Sequence, residues 1–440
     1  VLAGWLKRVL SIFCALDPRP AMDHPVFRRT RGELEAALGD ATDFSALGVL
    51  AGGPPAVPLG LQEALQLPFL SAVDAQVLFA AVRRWALEAA EAPPTWEAQA
   101  PGTSKAFTAA QCRGILANAV LGNLRDPVQH LKQHAGGVDF AKMMGGVLPV
   151  GVHKTAALLL YFEQSRSLEG TEDDQREVIF DYLVTPSMDD FSALLESDAV
   201  VSPDVLDLHN GGMEAPTDAA AFVNFANPNF GYGCFIPSCT QEEILQMACP
   251  EFNVGMLYIG LMAEDQVVVV RNCRRYSEYT GYASSYRVTG PWDSSRPHTI
   301  QALLTLDATT NQHFSLAKNL RDTRKAYTAF AALPRGAVVS TGRWGCGVFG
   351  GLPAHKMVQQ IVAASLAGVV LKFSCFGTPE GCDTVLEALR KEPRTVKQLW
   401  ELIAKRDHNH STFITRMTEM LSAVAEAPAV VAAPEPTEQV

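Results

Sequence analysis

The sequence predicts an α/β fold with a mixed sheet flanked by helices and a helical region before it. From about residue 178 onward, short β-branched runs alternate with helical stretches, which is typical of sheets covered by helices. The runs predicted as strands are Ala199 to Val201, Phe222 to Phe225, Val267 to Arg271, Ile300 to Leu306, Ala337 to Ser340 and Val369 to Phe373. The helices predicted between them are Gln241 to Ala248, Phe314 to Ala331, Ala354 to Leu366 and Cys382 to Lys391.

The first part of the chain has a different pattern, because its apolar residues recur at helical spacing. Helices are predicted at Phe27 to Leu38, Ser71 to Ala90, Ala109 to Leu124 and Lys154 to Ser165. We therefore expect a helical accessory region at residues 1–170 and an α/β domain at residues 171–426. Residues 427–440 are rich in Ala, Pro, Glu and Val without periodicity, and we expect a disordered tail there.

Composition narrows the class of protein. The 440 residues carry a net charge of −11 and no long basic run, which argues against broad binding to duplex nucleic acid. No apolar run reaches the length of a membrane span, so no membrane association is expected. The nine cysteines lack the spacing of a metal site or a disulfide framework, and His408-Asn409-His410 has no third ligand nearby. Free thiols favour a reducing compartment, so we expect an intracellular protein of the cytoplasm, the nucleus or both.

The stretch from Asn224 to Glu251 is the centre of the prediction. A buried strand is followed by a loop with Gly231 and Gly233, and then by a helix that begins at Gln241-Glu242-Glu243. Backbone N–H groups and the helix dipole at such a place favour anions. The same helix end stabilises charged carboxylates, so a glutamate that donates a proton here would need burial or a ligand to raise its pKa.

A second unit of the same kind lies at residues 341–351. Its five glycines follow the predicted strand that ends at Ser340 and precede the predicted helix that begins at Ala354. Glycines let the backbone approach a phosphate closely. Two such loops in one α/β domain suggest a diphosphate bound from both sides.

Three further features have a structural and a functional interpretation. Met213 and Glu214 lie in a Gly-rich loop that is either a surface turn or part of a site. The run from Tyr276 to Tyr282 holds three tyrosines that either shield the core or form an aromatic wall for a base or sugar. Phe376 ends a strand at the sheet edge where α/β proteins bind ligands, or it belongs to the core.

These motifs together resemble the poly(ADP-ribose) glycohydrolase family. The family has a glycine loop followed by Gln-Glu-Glu, matched here by Gly231-Tyr232-Gly233 and Gln241-Glu242-Glu243. The Tyr-Ser-Glu-Tyr-Thr-Gly-Tyr and Trp-Gly-Cys-Gly-Val-Phe-Gly-Gly runs resemble the same family in the same order, and the resemblance covers roughly residues 150–400. It implies a macrodomain-like core that binds poly(ADP-ribose) or ADP-ribosylated proteins, and it implies no metal or other cofactor. Protein partners would bind through the helical N-terminal region or the tail.

The resemblance also implies a role for individual residues. Glu243 would be the general acid that protonates the leaving ribose oxygen and then the base that activates water, and Glu242 would hold the ribose hydroxyls. Asn224 and Asn227 would lie near the ribose, and Phe349 would pack on it. The diphosphate would lie between Gly231, Tyr232 and Gly233 on one side and Gly345, Cys346, Gly347 and Val348 on the other, with Tyr282 close by. The adenine pocket would consist of Met213, Glu214, Gln241 and Phe376.

Three positions depart from the family. Asn224 stands where the family has Asp, Tyr232 replaces the middle glycine, and Arg343 stands where Asn is usual. If the missing charge lies near Glu243, its loss would lower the pKa of the acid, whereas Arg343 would favour phosphate. Two interpretations follow from the sequence: an active poly(ADP-ribose) glycohydrolase, or a weak or inactive relative that binds ADP-ribose or serves as a structural component of a larger assembly.

Overall fold

The structure is a computed structural model that describes residues 26–94, 99–125, 138, 140–231, 233, 238–405 and 408–422. Its helices are α1 (Arg31–Leu38), α2 (Ala46–Leu50), α3 (Leu59–Leu65), α4 (Ala75–Glu91), α5 (Ala109–Val120), α6 (Ala141–Gly145), α7 (Pro149–Leu168), α8 (Met188–Leu195), α9 (Gln241–Ala248), α10 (Leu316–Ala331), α11 (Pro353–Ala367), α12 (Cys382–Lys391), α13 (Val396–Ile403) and α14 (Phe413–Ser422). Its strands are β1 (Thr103–Thr108), β2 (Glu177–Val184), β3 (Leu206–His209), β4 (Ala221–Ala226), β5 (Gln266–Arg274), β6 (Ser277–Thr280), β7 (Arg287–Pro291), β8 (Thr299–Asp307), β9 (Val338–Gly342) and β10 (Val370–Ser374).

Eight strands form one mixed sheet in the order β1-β2-β5-β8-β4-β9-β10-β3, and β6 and β7 form a separate hairpin. The first four strands of that order are antiparallel to one another. From β8 to β3, each strand is parallel to its neighbour. The carboxyl ends of these five strands therefore meet at one edge, which is where α/β sheets bind ligands.

Helices cover both faces of the sheet, as an α/β fold requires. On one face, α4, α5 and α7 of the N-terminal region share a hydrophobic core with β-strand residues such as Phe222 and Val268. On the other face, α10, α11 and the last three helices pack against Val223, Val269 and Leu304. Neighbouring strand residues point to opposite faces, so β4 contributes Phe222 to one core and Val223 to the other.

Most predicted elements are confirmed, several of them to within one or two residues. The predicted strand at Ala199 to Val201 is wrong, because only Val200 forms an isolated bridge there, and the strand is β3 instead. The region up to residue 170, predicted as a helical region, also contains β1, which pairs with β2 at the edge of the sheet. The predicted tail at residues 427–440 lies outside the described residues. Among the helices that the structure describes, none is long and apolar enough to cross a membrane.

Candidate active site

The site is built where β4 ends and α9 begins. Thr240 is the N-cap of α9, and its side chain and the Glu243 side chain form a capping box. The loop before the helix is fixed to the hairpin region by paired backbone hydrogen bonds between Cys239 and Ala283. The first turn of α9 therefore places Gln241, Glu242 and Glu243 at a defined position beside the end of β4, and all three are buried.

Glu243 points back toward the start of its own helix. One carboxylate oxygen, Oε2, accepts hydrogen bonds from the Thr240 backbone N–H at 2.7 Å and the Thr240 hydroxyl at 2.6 Å. The other oxygen lies against Gly233, where a Cβ atom would stand only 1.5 Å from Oε1. Gly233 thus has to be glycine, because any side chain would displace the carboxylate.

Glu242 is a buried carboxyl group whose surroundings shift its pKa. Burial raises its pKa well above the usual value, and the neighbouring Glu243 charge adds to this increase. The backbone N–H groups of Asn227 and Gly231 and the amide of Asn224 act in the opposite direction. Asn224 is fully buried on β4, and its side chain acts on Glu242.

Gln241 has a role that the sequence did not reveal. Strand β4 pairs with β9 only at Ala221 and Phe222, so the later backbone N–H and carbonyl groups on that side of β4 need other hydrogen-bond partners. The Gln241 side chain supplies them, since its Oε1 accepts from Phe225 N at 2.6 Å and its Nε2 donates to the Val223 carbonyl at 3.1 Å. Its Nε2 also reaches Glu214 Oε1 at 3.4 Å, so Gln241 ties the helix to the predicted adenine pocket.

Met213 and Glu214 are not a surface turn. Met213 is buried, and its carbonyl accepts a hydrogen bond from the Ser340 hydroxyl. Glu214 accepts a hydrogen bond from the Tyr279 hydroxyl at 2.7 Å, and burial raises the pKa of this carboxyl. The loop after β3 therefore joins the same edge of the sheet as the loops after β9 and β4.

The three tyrosines separate into different environments. Tyr276 belongs to the core, where its hydroxyl donates to Glu251 at 2.8 Å, and Tyr279 stands behind Glu214. Only Tyr282 faces the open side, with 38% of its surface exposed. Its ring centroid lies 5.2 Å from that of Phe376, which is 52% exposed and therefore not a core residue. Burial and the charge of Glu243 raise the pKa of Tyr282, which places its hydroxyl near the start of α9.

The second glycine loop follows β9, next to β4 in the sheet. Gly345 has φ +75° and packs so closely on Ala308 and Lys356 that a Cβ would stand 2.5 Å from the Ala308 Cβ. Cys346 is partly buried, Gly347 is exposed and Val348 is 96% exposed, so this part of the loop faces solvent. Phe349 is partly buried, and its carbonyl accepts a hydrogen bond from His313 Nε2 at 2.9 Å.

The remaining predicted residues have simpler surroundings. The Asn227 backbone N–H donates to Glu242 Oε2 at 3.1 Å, and the Asn227 side chain accepts from Asn229 N. Gly231 has φ +75°, which a tyrosine or alanine adopts only with strain. Tyr232 lies outside the described residues.

Two buried lysines at this site were missed by the sequence analysis. Lys154 on α7 donates to the Gly233 carbonyl at 3.2 Å, and Lys356 on α11 forms an ion pair with Asp322 beneath Gly345 and Gly351. Lys154 is 1% exposed and Lys356 is fully buried. A lysine within an apolar helical stretch was the available signal, since such a residue needs a partner when its helix is buried.

Comparison with known proteins finds a family model that matches part of the chain. Residues 192–383 match the family model described as poly(ADP-ribose) glycohydrolase (PARG), macro domain fold. The resemblance to the poly(ADP-ribose) glycohydrolase family is confirmed. The matched residues extend from the end of α8 to the start of α12, so they include the glycine loops, α9 and the loop after β10. The macrodomain-like α/β fold that the resemblance implied is confirmed with it.

Two curated relatives carry the same family name. Poly(ADP-ribose) glycohydrolase 1 of Caenorhabditis elegans is 29% identical over 222 residues, which cover 43% of this chain and 28% of that protein. Poly(ADP-ribose) glycohydrolase 1 of Arabidopsis thaliana is 26% identical over 277 residues, which cover 44% of this chain and 50% of that protein. The chain thus spans half or less of the length of these relatives.

A solved structure of the same family name is also similar. The poly(ADP-ribose) glycohydrolase of Thermomonospora curvata, bound to the inhibitor ADP-HPD, shares 17% identity with this chain. The match covers 50% of this chain and 83% of that one, with a TM-score of 0.32. At this level of similarity, it carries no argument about the residues of this chain.

Proposed function

We propose that this chain hydrolyses the ribose–ribose O-glycosidic bonds of poly(ADP-ribose) and releases ADP-ribose. The observation that carries the proposal is the position of Glu243, a buried carboxylate pressed against Gly233 at the start of α9. Family membership, the two glycine loops and the Tyr282–Phe376 aromatic pair at the same edge of the sheet support it.

The proposed substrate position follows from the three loops at that edge. The diphosphate lies between the loop of Gly231 and Gly233 and the loop of residues 345–348, because glycine loops of this kind let the backbone approach an anion closely. The adenine lies on the side of Met213, Glu214 and Phe376, next to Tyr282. This arrangement directs the ribose toward Asn227, Phe349 and the two glutamates.

The proposed reaction needs one proton donor that later accepts a proton. Protonated Glu243 transfers its proton to the leaving ribose oxygen, the glycosidic bond breaks, and an oxocarbenium-like centre forms. The resulting carboxylate then removes a proton from the attacking water, so that Glu243 returns to its starting state. Burial raises the pKa of Glu242, which favours its protonated form, and Glu242 forms a hydrogen bond with a ribose hydroxyl.

One assay tests this proposal. The protein is incubated with poly(ADP-ribose) on an automodified carrier, and released ADP-ribose is measured for the wild type, for Glu243→Gln and for Glu401→Gln. Glu401 is an exposed residue on α13, so Glu401→Gln makes the same chemical change away from the site. We expect release by the wild type and by Glu401→Gln, and a loss of at least about 10³-fold in Glu243→Gln. No release above that of Glu243→Gln refutes the enzymatic function.

A second function is favoured by two departures from the pattern that the resemblance implies. Asn224 places an uncharged amide beside Glu242 where a carboxylate is expected, and Tyr232 stands where a loop glycine is expected. A relative of this kind binds ADP-ribose with little or no hydrolysis and serves as a reader or structural component. Calorimetric binding of ADP-ribose, in a preparation that releases none from the polymer, supports this function over the first.

The domain division belongs to the same proposal. We propose that residues 171–426 form the catalytic domain and that residues 1–170 are an accessory region that packs on it through the shared core. ADP-ribosylated proteins are the proposed partners, and an intracellular location remains a prediction.

A further inference from the structure

The loop after β9 and the loop after β10 are joined by an ion pair. Arg343 is the first residue after β9, and its Nη2 donates to Glu380 Oε1 in the loop at residues 375–381. The Arg343 and Glu380 side chains are 28% and 40% exposed. The contact therefore joins two loops that follow neighbouring parallel strands of the sheet.

The loop at residues 375–381 has an unfavourable backbone conformation. Phe376 and Glu380 both have left-handed φ angles, +47° and +43°, which side chains with a Cβ atom adopt only when their surroundings hold them. Within this loop, Phe376 N donates to Ser374 Oγ at 3.3 Å and Cys382 N donates to the Pro379 carbonyl at 2.8 Å. From other strands, the His209 carbonyl at the end of β3 accepts from Cys375 N at 2.8 Å at the start of the loop, and Arg343 contacts Glu380 at its far end.

The loop carries one ring of the aromatic pair. The Phe376 ring is half exposed, and its contact with Tyr282 at 5.2 Å forms the open wall beside Glu214 and Gln241. Phe376 and Glu380 lie in the same short loop, and both have left-handed φ angles. A contact that holds the backbone at Glu380 therefore also restricts the position of the Phe376 ring.

We propose that the Arg343–Glu380 ion pair positions Phe376 and thereby sets the affinity of the site for the adenosine end of ADP-ribose. This inference rests on the proposed function, because ADP-ribose is the ligand in question. Arg343 and Glu380 are positioning residues that act through the backbone of residues 376–380. The charge of Arg343 is engaged by Glu380 and does not bind the diphosphate itself.

The test compares ADP-ribose dissociation constants, measured by calorimetry, for a set of charge variants. The set contains Arg343→Gln, Glu380→Gln, the double variant and the exchanged pair Arg343→Glu/Glu380→Arg. The control is Lys372→Gln, because Lys372 on β10 forms an ion pair of similar exposure with Asp218, with 26% and 56% exposed side chains. Hydrogen exchange of residues 376–381 is measured for the same proteins without ligand.

We expect each single variant to weaken ADP-ribose binding by about two- to fivefold, the range given by an ion pair of this exposure. The double variant should bind as the single variants do, and the exchanged pair should restore most of the affinity, while Lys372→Gln changes nothing. Weaker binding by Arg343→Gln with tighter binding by Glu380→Gln overturns the inference, because it means that Arg343 binds the diphosphate directly. Unchanged affinity in both single variants overturns it as well.

Hydrogen exchange separates this inference from the proposed function. If the wild-type protein does not bind ADP-ribose, the proposed function fails, but the ion pair is still tested in the free protein. Faster exchange of residues 376–381 in both Arg343→Gln and Glu380→Gln supports the positioning role. Exchange equal to that of the wild type refutes it.

Discussion

Gly233→Ala is the most direct perturbation of the proposed active site. The new Cβ would stand 1.5 Å from Glu243 Oε1, 2.4 Å from its Cδ and 2.8 Å from its Cγ. Real Cβ atoms essentially never approach another heavy atom closer than 3.0 Å, so the carboxylate oxygen must increase its separation from 1.5 Å to at least that distance. The alanine leaves the chemistry of Glu243 intact and changes only its position.

Two effects of this displacement have a predictable size. A catalytic group misplaced by an ångström or more loses on the order of 10² in rate, which corresponds to about 2.7 kcal/mol in the activation barrier. The displacement also breaks the capping box with Thr240, whose two hydrogen bonds are 2.7 and 2.6 Å long. Loss of an N-cap costs about 1 kcal/mol of unfolding free energy, which is a decrease in Tm of about 2 °C for a protein of this size.

The assay measures ADP-ribose release at saturating polymer together with thermal unfolding. The control is Gly32→Ala in α1, where no atom lies within 4 Å of the new Cβ, so neither turnover nor fold should suffer. Turnover by Gly233→Ala above one third of the wild-type value refutes the position of Glu243 described above. If the wild type is inactive, a Tm equal to that of the wild type refutes it instead.

Three further predictions concern the same cluster. Lys154→Met removes the donor to the Gly233 carbonyl, so turnover should fall by about tenfold while ADP-ribose affinity changes by less than about twofold. Lys154→Arg should retain more turnover, and a fall in affinity alone contradicts the prediction. Glu242→Gln should raise Tm at about pH 8, because folding raises the pKa of Glu242 and the wild type loses stability as the pH rises from the usual pKa of 4.5 through the raised one. A gain in Tm that does not shrink toward pH 4.5 would count against this prediction. Asn224→Asp should raise turnover, because a carboxylate beside Glu242 helps the cluster to retain protons. It should also lower Tm at neutral pH, because Asn224 is fully buried. Unchanged or lower turnover would show that the charge argument is wrong.

The limits of sequence-based prediction are visible in particular elements. Helix α9 begins at Gln241 and ends at Ala248 as predicted, because its capping box, its apolar spacing and Pro250 are all local signals. Strand β1 was missed because it is an edge strand with mainly exposed residues, and β3 because it is only four residues long. Neither strand has a local pattern strong enough to separate it from a loop, and both form by pairing with distant strands.

The side chains of the candidate site were likewise predicted only in part. The sequence brought Glu243, Glu242 and the glycine loops to attention through motif order and spacing. The apolar helical stretch around Lys154 indicates that this lysine needs a partner, but the sequence did not show that the partner is Gly233, 79 residues further along the chain. It also assigned Gln241 to ligand binding, although the Gln241 side chain is hydrogen-bonded to the backbone of β4 in this structure.

The sequence by itself determined the α/β class, the two strand–glycine loop–helix units and the resemblance to the poly(ADP-ribose) glycohydrolase family, because hydrophobic periodicity, caps and motif spacing depend on neighbouring residues. Only the tertiary structure decided that the pKa of Glu242 is raised, since the burial of Glu242 and the opposing contacts of Asn224 and Asn227 arise from separate segments. It likewise placed Arg343 beside Glu380 and Phe376 beside Tyr282. Electrostatic and packing effects depend on distance in space, and the chain order does not contain that distance.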